Sequence, residues 1–335
     1  MNGTIEVREI ESAALRGNPL GDPVRRRTPV YLPPGYATSK ERYPVVYFLH
    51  GFGGAGMQWL NFSGFTLTVP ERIDQLIAKG TVPPFIGVFI DGWTAIGGTQ
   101  WENSEAIGAY RDYVAKDVVA WADRELRTIP KRTARACMGK SSGGYGALVM
   151  GRSHPDVFAH IASHSGDAYF EYCYLHDFPK AAAALLKAGD AKAWFEDYWR
   201  RSRETKPQGA DFPVLNILAM AAQYSQKRGE PMNLELPFDP QTARVREEVW
   251  ARWLEKDPVR FIPRAADAFR SLETVFVDCG TKDEFNLRWG ARMVAEELRK
   301  IGVAVVHEEF EDGHMQTSYR YDRSLALIVP KLARG

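Results

Sequence analysis

The sequence has no uninterrupted apolar stretch approaching the roughly 20 residues that a membrane-spanning helix requires, which argues against a membrane protein. Its opening, MNGTIEVREIES, carries charge where a secretory signal would need an apolar segment, so a soluble, cytoplasmic chain is expected. Excess charge is also lacking: 43 Lys and Arg stand against 42 Asp and Glu. With no net field to attract nucleic acid or an anionic membrane, the expected partner is a small neutral or mixed-charge molecule. Cysteine is scarce. Cys137, Cys173 and Cys279 cannot all pair with one another, none has the spacing of a zinc ligand set, and Cys137 and Cys279 fall in apolar, strand-like runs. Buried free thiols are the expectation. Internal repeats, low-complexity tracts and long linkers are absent, so 335 residues of 45% hydrophobic content point to one large domain carrying an insertion.

What the sequence does contain is a series of short apolar runs, at residues 45–49, 85–90, 134–138, 160–162, 274–279 and 303–310. Between most of them lie stretches of helical period. Across residues 107–126, Val114, Val118 and Trp121 share one stripe, with Asp112, Lys116, Asp123 and Arg124 off it. Strands alternating with helices predict a doubly wound, mostly parallel α/β sheet covered on both faces. Two earlier runs, 4–10 and 27–32, alternate apolar and polar residues as a half-exposed antiparallel edge would, and Pro33-Pro34-Gly35 ends the second. From 167 to 268 only helical candidates appear, at 178–187, 190–203, 214–226 and 242–255. The expected organisation is a core of residues 1–166 and 269–335 interrupted by a helical cap insertion at 167–268.

The sharpest local feature is Gly139-Lys140-Ser141-Ser142-Gly143-Gly144, which follows the strand candidate 134–138 and opens a helical run at 145–151. G-x-S-x-G between a strand and a helix is the nucleophile elbow of the α/β-hydrolase fold. Its strained turn lifts a serine hydroxyl above the C-terminal edge of the sheet. Glycines two residues to either side are needed because a Cβ there would collide with the neighbouring strand and helix. The unpaired N–H groups of the helix start favour developing negative charge. Ser141 is therefore the candidate nucleophile. Ser142 is flanked at the same offsets by Lys140 and Gly144 and lacks the glycine pair. A phosphate-loop reading of Gly139-Lys140-Ser141 needs an earlier glycine at position 134, which is Ala134. An ordinary Gly-rich helix start is the plain alternative.

A serine hydroxyl needs a base within hydrogen-bond reach, itself oriented by a carboxylate, and this fold supplies them in the order Ser, Asp or Glu, His. The run 274–279 leads into Gly280-Thr281-Lys282-Asp283-Glu284, which puts Asp283 in the loop at the strand's C-terminal end as the candidate acid. Asp278 lies inside the strand, and Glu284 is expected to begin the next helix, where an acidic residue suits the dipole. The run 303–310 leads into Glu311-Asp312-Gly313-His314, making His314 the candidate base. His154, His160 and His164 crowd the helix and strand after the elbow, where core or surface roles are the expectation, and His307, which alternates along a strand, is likewise expected to be structural. Residues 45–49 end in His50-Gly51-Phe52-Gly53-Gly54, an HG-rich loop whose Phe52 N–H, with that of Ser142, is expected to form an oxyanion hole. His50 is expected to shape that loop by a hydrogen bond.

These stretches resemble the esterase family of α/β hydrolases that includes S-formylglutathione hydrolases (esterase D), feruloyl esterases, enterochelin esterases and mycobacterial mycolyltransferases. The likeness is carried by Tyr31-Leu32-Pro33-Pro34-Gly35-Tyr36, residues 43–54, Tyr113-Val114 with Asp117-Val118-Val119, Arg127-Thr128-Ile129-Pro130, and residues 139–148. It covers most of the chain outside the insertion. The resemblance implies ester chemistry with no cofactor, with Ser141 as nucleophile, Asp283 as acid, His314 as base, and Phe52 and Ser142 as oxyanion donors. Two residues depart from the pattern: Ser142 stands where the family often has methionine, and Lys140 is a less usual neighbour that brings a cation to the elbow and bears on substrate choice. The insertion is also longer than that of the formylglutathione hydrolases, which weakens a direct transfer of substrate.

The expected reaction passes through an acyl-enzyme on Ser141, released to water by a serine esterase or passed to another alcohol by an acyltransferase. A non-catalytic binding protein on the same fold is the reading from another class, disfavoured because every residue type of the triad is present in order. A peptidase would need a site for a free terminus, which the sequence does not reveal. The insertion is rich in aromatics, with Trp194 and Tyr198, and Phe195 and Trp199, at i, i+4 spacing. They pack the cap's own core, or some line a pocket for a small or medium ester that is aromatic or otherwise bulky.

Overall fold

Successive residues of a strand point to opposite faces of its sheet, and every residue of Val45–Leu49 is buried, so both faces there must be covered. The computed structural model, which describes residues 1–227 and 234–334, has that arrangement. Val45, Tyr47 and Leu49 enter one apolar core; Val46 and Phe48 enter the other. The strands in chain order are β1 (Thr4–Glu11), β2 (Arg25–Leu32), β3 (Val45–Leu49), β4 (Ile86–Ile90), a short pair β5 (Asn103–Ser104) and β6 (Gly108–Ala109), β7 (Arg135–Lys140), β8 (His160–His164), β9 (Thr274–Gly280) and β10 (Val305–Phe310).

Eight of these form one sheet in the order β1-β2-β4-β3-β7-β8-β9-β10. β2 runs antiparallel to both β1 and β4, and the remaining neighbours are parallel. The sheet is mixed at its first edge and parallel beyond it, as the alternation pattern predicts. Helices Val69–Ala78 and Tyr321–Ile328 supply apolar side chains to one face, and Ser142–Ser153, Leu287–Lys300 and the helical run 110–125 supply the other. This is the α/β-hydrolase fold. Cys137, Cys173 and Cys279 are all free and buried.

Two local departures from the sequence reading have visible causes. The helix expected from residue 107 begins at Tyr110, because Gly108 adopts φ 133° and Gly108–Ala109 pairs with Asn103–Ser104. Its middle, Tyr113–Val118, winds as a π-helix while Val114 and Val118 stay buried. Between β8 and β9 lie helices Phe170–Cys173, Phe178–Ala188, Ala191–Glu204, Asp211–Tyr224, Glu247–Leu254, Pro258–Arg264 and Ala266–Arg270, with no strand of the main sheet among the described residues. The candidate at 242–255 shortens to Glu247–Leu254 because Phe238 and Val245 form an isolated bridge ahead of it. Trp194 stacks on Tyr198 with ring centroids 5.3 Å apart, whereas Phe195 meets Trp194, and Trp199 meets Trp93 and Tyr198.

Phe48 shows where the fold is most sensitive. It is fully buried, stacks on Phe89 at 4.7 Å and meets Trp59 and Tyr321 edge-on. Phe48→Ala should cost about 3–5 kcal/mol in urea unfolding, while Phe62→Ala at an 80% exposed position should stay within about 0.5 kcal/mol of the parent.

Candidate active site

β7 ends at Lys140, and the chain reverses at Ser141 with φ 58° and ψ −127° before helix Ser142–Ser153 begins. That conformation is unfavourable for a residue with a side chain and survives only where its surroundings impose it. A Cβ on Gly143 would lie 2.0 Å from the Leu49 carbonyl oxygen, and one on Gly139 would lie 2.5 Å from both that oxygen and the Gly143 backbone. The Ser141 N–H donates to the His164 carbonyl at 2.9 Å, so the end of β8 holds the turn from its other side.

The loops after β9 and β10 lie against each other, with the Thr281 and Lys282 N–H groups donating to the Phe310 and Asp312 carbonyls. A Cβ on Gly280 would lie 2.3 Å from the Asp312 oxygen, so only glycine permits this contact. The pairing brings His314 Nδ1 to 2.8 Å from Asp283 Oδ2. Asp283 Oδ1 accepts from the amides of Phe285 and Leu287. Burial pushes the Asp283 carboxyl up, but the hydrogen bond and charge of His314 and those two amides outweigh it, leaving the group below its ordinary value. An ionised Asp283 can only accept, so Nδ1 of His314 carries the proton and Nε2 is the free basic nitrogen.

Glu284 is not the helix-starting residue expected: helix Leu287–Lys300 begins three residues later, after Asn286 in the left-handed region. Its carboxylate instead accepts the His314 N–H at 2.7 Å, clamping the histidine loop.

On the opposite side, His50 Nε2 accepts the Gly92 N–H at 2.9 Å, which leaves the proton on Nδ1 to donate to the Gly51 carbonyl. Burial keeps this imidazole below its ordinary pKa and therefore neutral. The Phe52 ring lies on Gly97 and Gly98, where added Cβ atoms would come within 2.7 and 2.8 Å of it. Neither the Phe52 nor the Ser142 N–H donates elsewhere among the described residues, and both residues line the cavity that also holds Ser141 and His314.

That cavity has a volume of ≈ 180 Å³. Its rim is a chain of rings: Phe52 meets Phe212 at 5.8 Å, Phe212 meets Phe285 at 5.8 Å, and Phe285 meets the His314 imidazole at 4.8 Å. Lys140 reaches the same space, and burial lowers its ammonium's pKa while Asp283 and Glu284 oppose that shift. Sequence reading missed Phe212, Phe285 and Asp167 as cavity residues; only Phe285, two positions past Asp283, had a loop position that could have signalled it.

A second Ser-His-Asp set exists. His164 Nδ1 lies 2.8 Å from Asp278 Oδ1, its Nε2 lies 2.9 Å from Ser324 Oγ, and Arg320 Nε donates to Asp278 Oδ2. All are buried and none lines the cavity, so the structural role expected for His164 holds, and Asp278 stays a strand residue.

The chain matches the family model described as "Putative esterase" over residues 23–321. An esterase of Mycobacterium tuberculosis (strain H37Rv) is 28% identical over 200 residues, which is 56% of this chain and 39% of that protein. An endo-1,4-beta-xylanase/feruloyl esterase of Xylanibacter ruminicola is 30% identical over 150 residues, 42% of this chain and 19% of that protein. The chain therefore spans well under half the length of these curated relatives. Among solved structures, a ferulic acid esterase superposes with a TM-score of 0.63 at 18% identity, covering 99% of this chain and 100% of the other. An S-formylglutathione hydrolase from Agrobacterium tumefaciens gives 0.59 at 15% identity, covering 99% and 96%. At such identities the structural likeness speaks for the fold, whereas the family match takes in nearly the whole chain, from the second strand to the helix after His314: this protein belongs to the esterase family of α/β hydrolases.

Proposed function

We propose that the protein is a serine carboxylic ester hydrolase that works through an acyl-enzyme, with Ser141 as nucleophile, His314 as general base and Asp283 as its orienting carboxylate. The observation that carries this reading is the Asp283–His314 hydrogen bond, formed beside a cavity that Ser141 and His314 share. In the first half-reaction His314 Nε2 takes the Ser141 proton as Oγ attacks the ester carbonyl. Asp283 stabilises the resulting imidazolium, and the N–H groups of Phe52 and Ser142 receive the oxyanion. His314 then protonates the departing alcohol, and the same residues activate water to release the acid.

Residues 167–268 act, in this reading, as a helical cap over the core of 1–166 and 269–335. Tyr174, Phe212 and Asn216 of that segment line the cavity, which supports the assignment. Aromatic lining and a volume of ≈ 180 Å³ favour a small or medium ester with an aromatic or otherwise bulky group. The relatives named as feruloyl or ferulic acid esterases lend weight to the same substrate class. A cytoplasmic setting accords with three buried, unpaired thiols.

Hydrolysis of p-nitrophenyl esters, short to long chain plus an aromatic acid ester, tests the reading. Ser141→Ala should lower kcat by about 10⁴-fold or more, and turnover that persists in this variant would sink the serine mechanism. Asp283→Asn should lower kcat by about 10⁴-fold because the correct His314 tautomer is no longer enforced. The Asp283 carboxyl sits lower in the folded than in the unfolded chain, so its contribution to stability is present above the ordinary value of 3.8 and is lost as pH falls. The stability gap between parent and Asp283→Asn should therefore narrow on acidification below that value, as read by urea midpoints.

A further inference from the structure

Among the ionisable groups that line the cavity, Asp167 is a carboxyl that the catalytic cycle does not use. Asp167 follows β8, is 7% exposed and lines the same space as Ser141 and His314. Gln100 Nε2 and the Tyr174 hydroxyl both donate to its Oδ2, at 2.8 and 2.9 Å. Its Oδ1 makes no hydrogen bond, and the carboxyl forms no ion pair, among the described residues.

This is an expensive arrangement for a merely structural acceptor. A buried carboxyl without a cation is costly, and an asparagine or a backbone carbonyl would serve two donors that converge on one oxygen. The support around it is costly as well. Gln100 and Trp101 are consecutive non-glycine residues at φ 45° and 54°, and the buried Gln100 Oε1 has no partner among the described residues. Strain and an unsatisfied polar atom at one spot are what a chain retains when a side chain must be held in a fixed pose for a ligand. Tyr174 comes from the segment between β8 and β9, so the pose also depends on that segment.

We propose that Asp167 is a substrate-recognition residue whose free Oδ1 pairs with a hydroxyl group carried by the ester. This rests on the esterase reading above and goes beyond it in naming a feature of the substrate. Burial raises the carboxyl's pKa against the pull of the Gln100 and Tyr174 hydrogen bonds, and a carboxyl has an ionised and a protonated form. A hydroxyl donates and accepts and therefore pairs with either form, whereas an ammonium pairs only with the carboxylate and a carboxylate ligand only with the acid. Tyr174, Phe212 and Phe285 flank the same space and suit the apolar body on which such a hydroxyl would be carried.

The test is steady-state kinetics on matched esters that differ in one hydroxyl. On the acyl side these are p-nitrophenyl phenylpropanoate and its ortho-, meta- and para-hydroxy forms; on the alcohol side, benzyl acetate and its hydroxybenzyl forms. The parent enzyme should prefer at least one hydroxylated ester by about tenfold in kcat/KM, chiefly through KM. Asp167→Ala should bring that ratio near one, and Tyr174→Phe should shrink it by loosening the carboxyl. Asp167→Asn, which keeps the shape but turns an N–H donor toward the cavity, should shift preference toward the methoxy analogue, which can only accept. A parent enzyme that treats every pair alike, or an Asp167→Asn variant with an unshifted hydroxy-to-methoxy ratio, overturns the inference. The readout is Ser141-dependent turnover: loss of discrimination with that dependence intact defeats this inference alone, while turnover surviving Ser141→Ala defeats the esterase reading beneath it.

Discussion

At the end of β3 the Leu49 carbonyl presses against the turn that carries Ser141 so closely that no side chain fits between them at Gly139 or Gly143. This contact fixes more than the turn. β3 continues directly into His50-Gly51-Phe52, so the strand that supports the serine also sets the height of the Phe52 amide beside it. Because β3 is hydrogen-bonded to β4 on one side and β7 on the other, neither the serine nor the loop can move without shearing the middle of the sheet. The strained φ of Ser141 is thus sustained by the interlocked centre of the fold rather than by local preference.

A similar logic operates one strand further on. The His164 carbonyl receives the Ser141 N–H, and the His164 side chain is tied to Asp278 of β9 and to Ser324 of the helix covering the other face. Arg320 adds its charge to Asp278 and also pairs with Glu308 on β10. Three strands and a helix are therefore tied together by a polar network directly beside the turn. Buried polar groups of this kind are tolerable only when every member is paired. In composition this set matches Ser141, His314 and Asp283. Burial and absence from the cavity distinguish the two.

The parts of the site that were legible in the sequence are those where backbone geometry forces residue identity. Glycines around Ser141, glycine before the Asp283 loop and glycine-rich residues after β3 are each required by a close approach, and such requirements leave a fixed spacing. The order of Asp283 and His314 was legible because both sit where a parallel strand ends. Glu284 was misread because a carboxylate near a helix start has an ordinary explanation in the helix dipole, and only the three-dimensional meeting of two loops reveals that it holds the His314 amide. The π-helical turn at Tyr113–Val118 left no trace, since the buried stripe is nearly the same at either winding. Phe212 and Asp167 gave no signal for a different reason: their roles depend on how the segment between β8 and β9 is packed over the sheet, which periodicity does not encode.

That division separates the chemistry from the choice of substrate. Residues positioned by the sheet, namely Ser141, Asp283, His314 and the amides of Phe52 and Ser142, are those the family pattern can anticipate. Phe212 bridges Phe52 of one loop and Phe285 of another, closing a ring chain that ends on the His314 imidazole. It is held at the start of its helix, where Asp211 accepts two hydrogen bonds from Arg201 of the preceding helix. Tyr174 of the same segment holds Asp167 in its pose. The helices between β8 and β9 thus touch both the rim of the cavity and its buried carboxyl, while the Asp283–His314 contact is made by the loops after β9 and β10. Substitutions among them can then reshape what enters the cavity without disturbing how Ser141 and His314 are held, which is why relatives of one fold and one elbow can differ in the esters they accept.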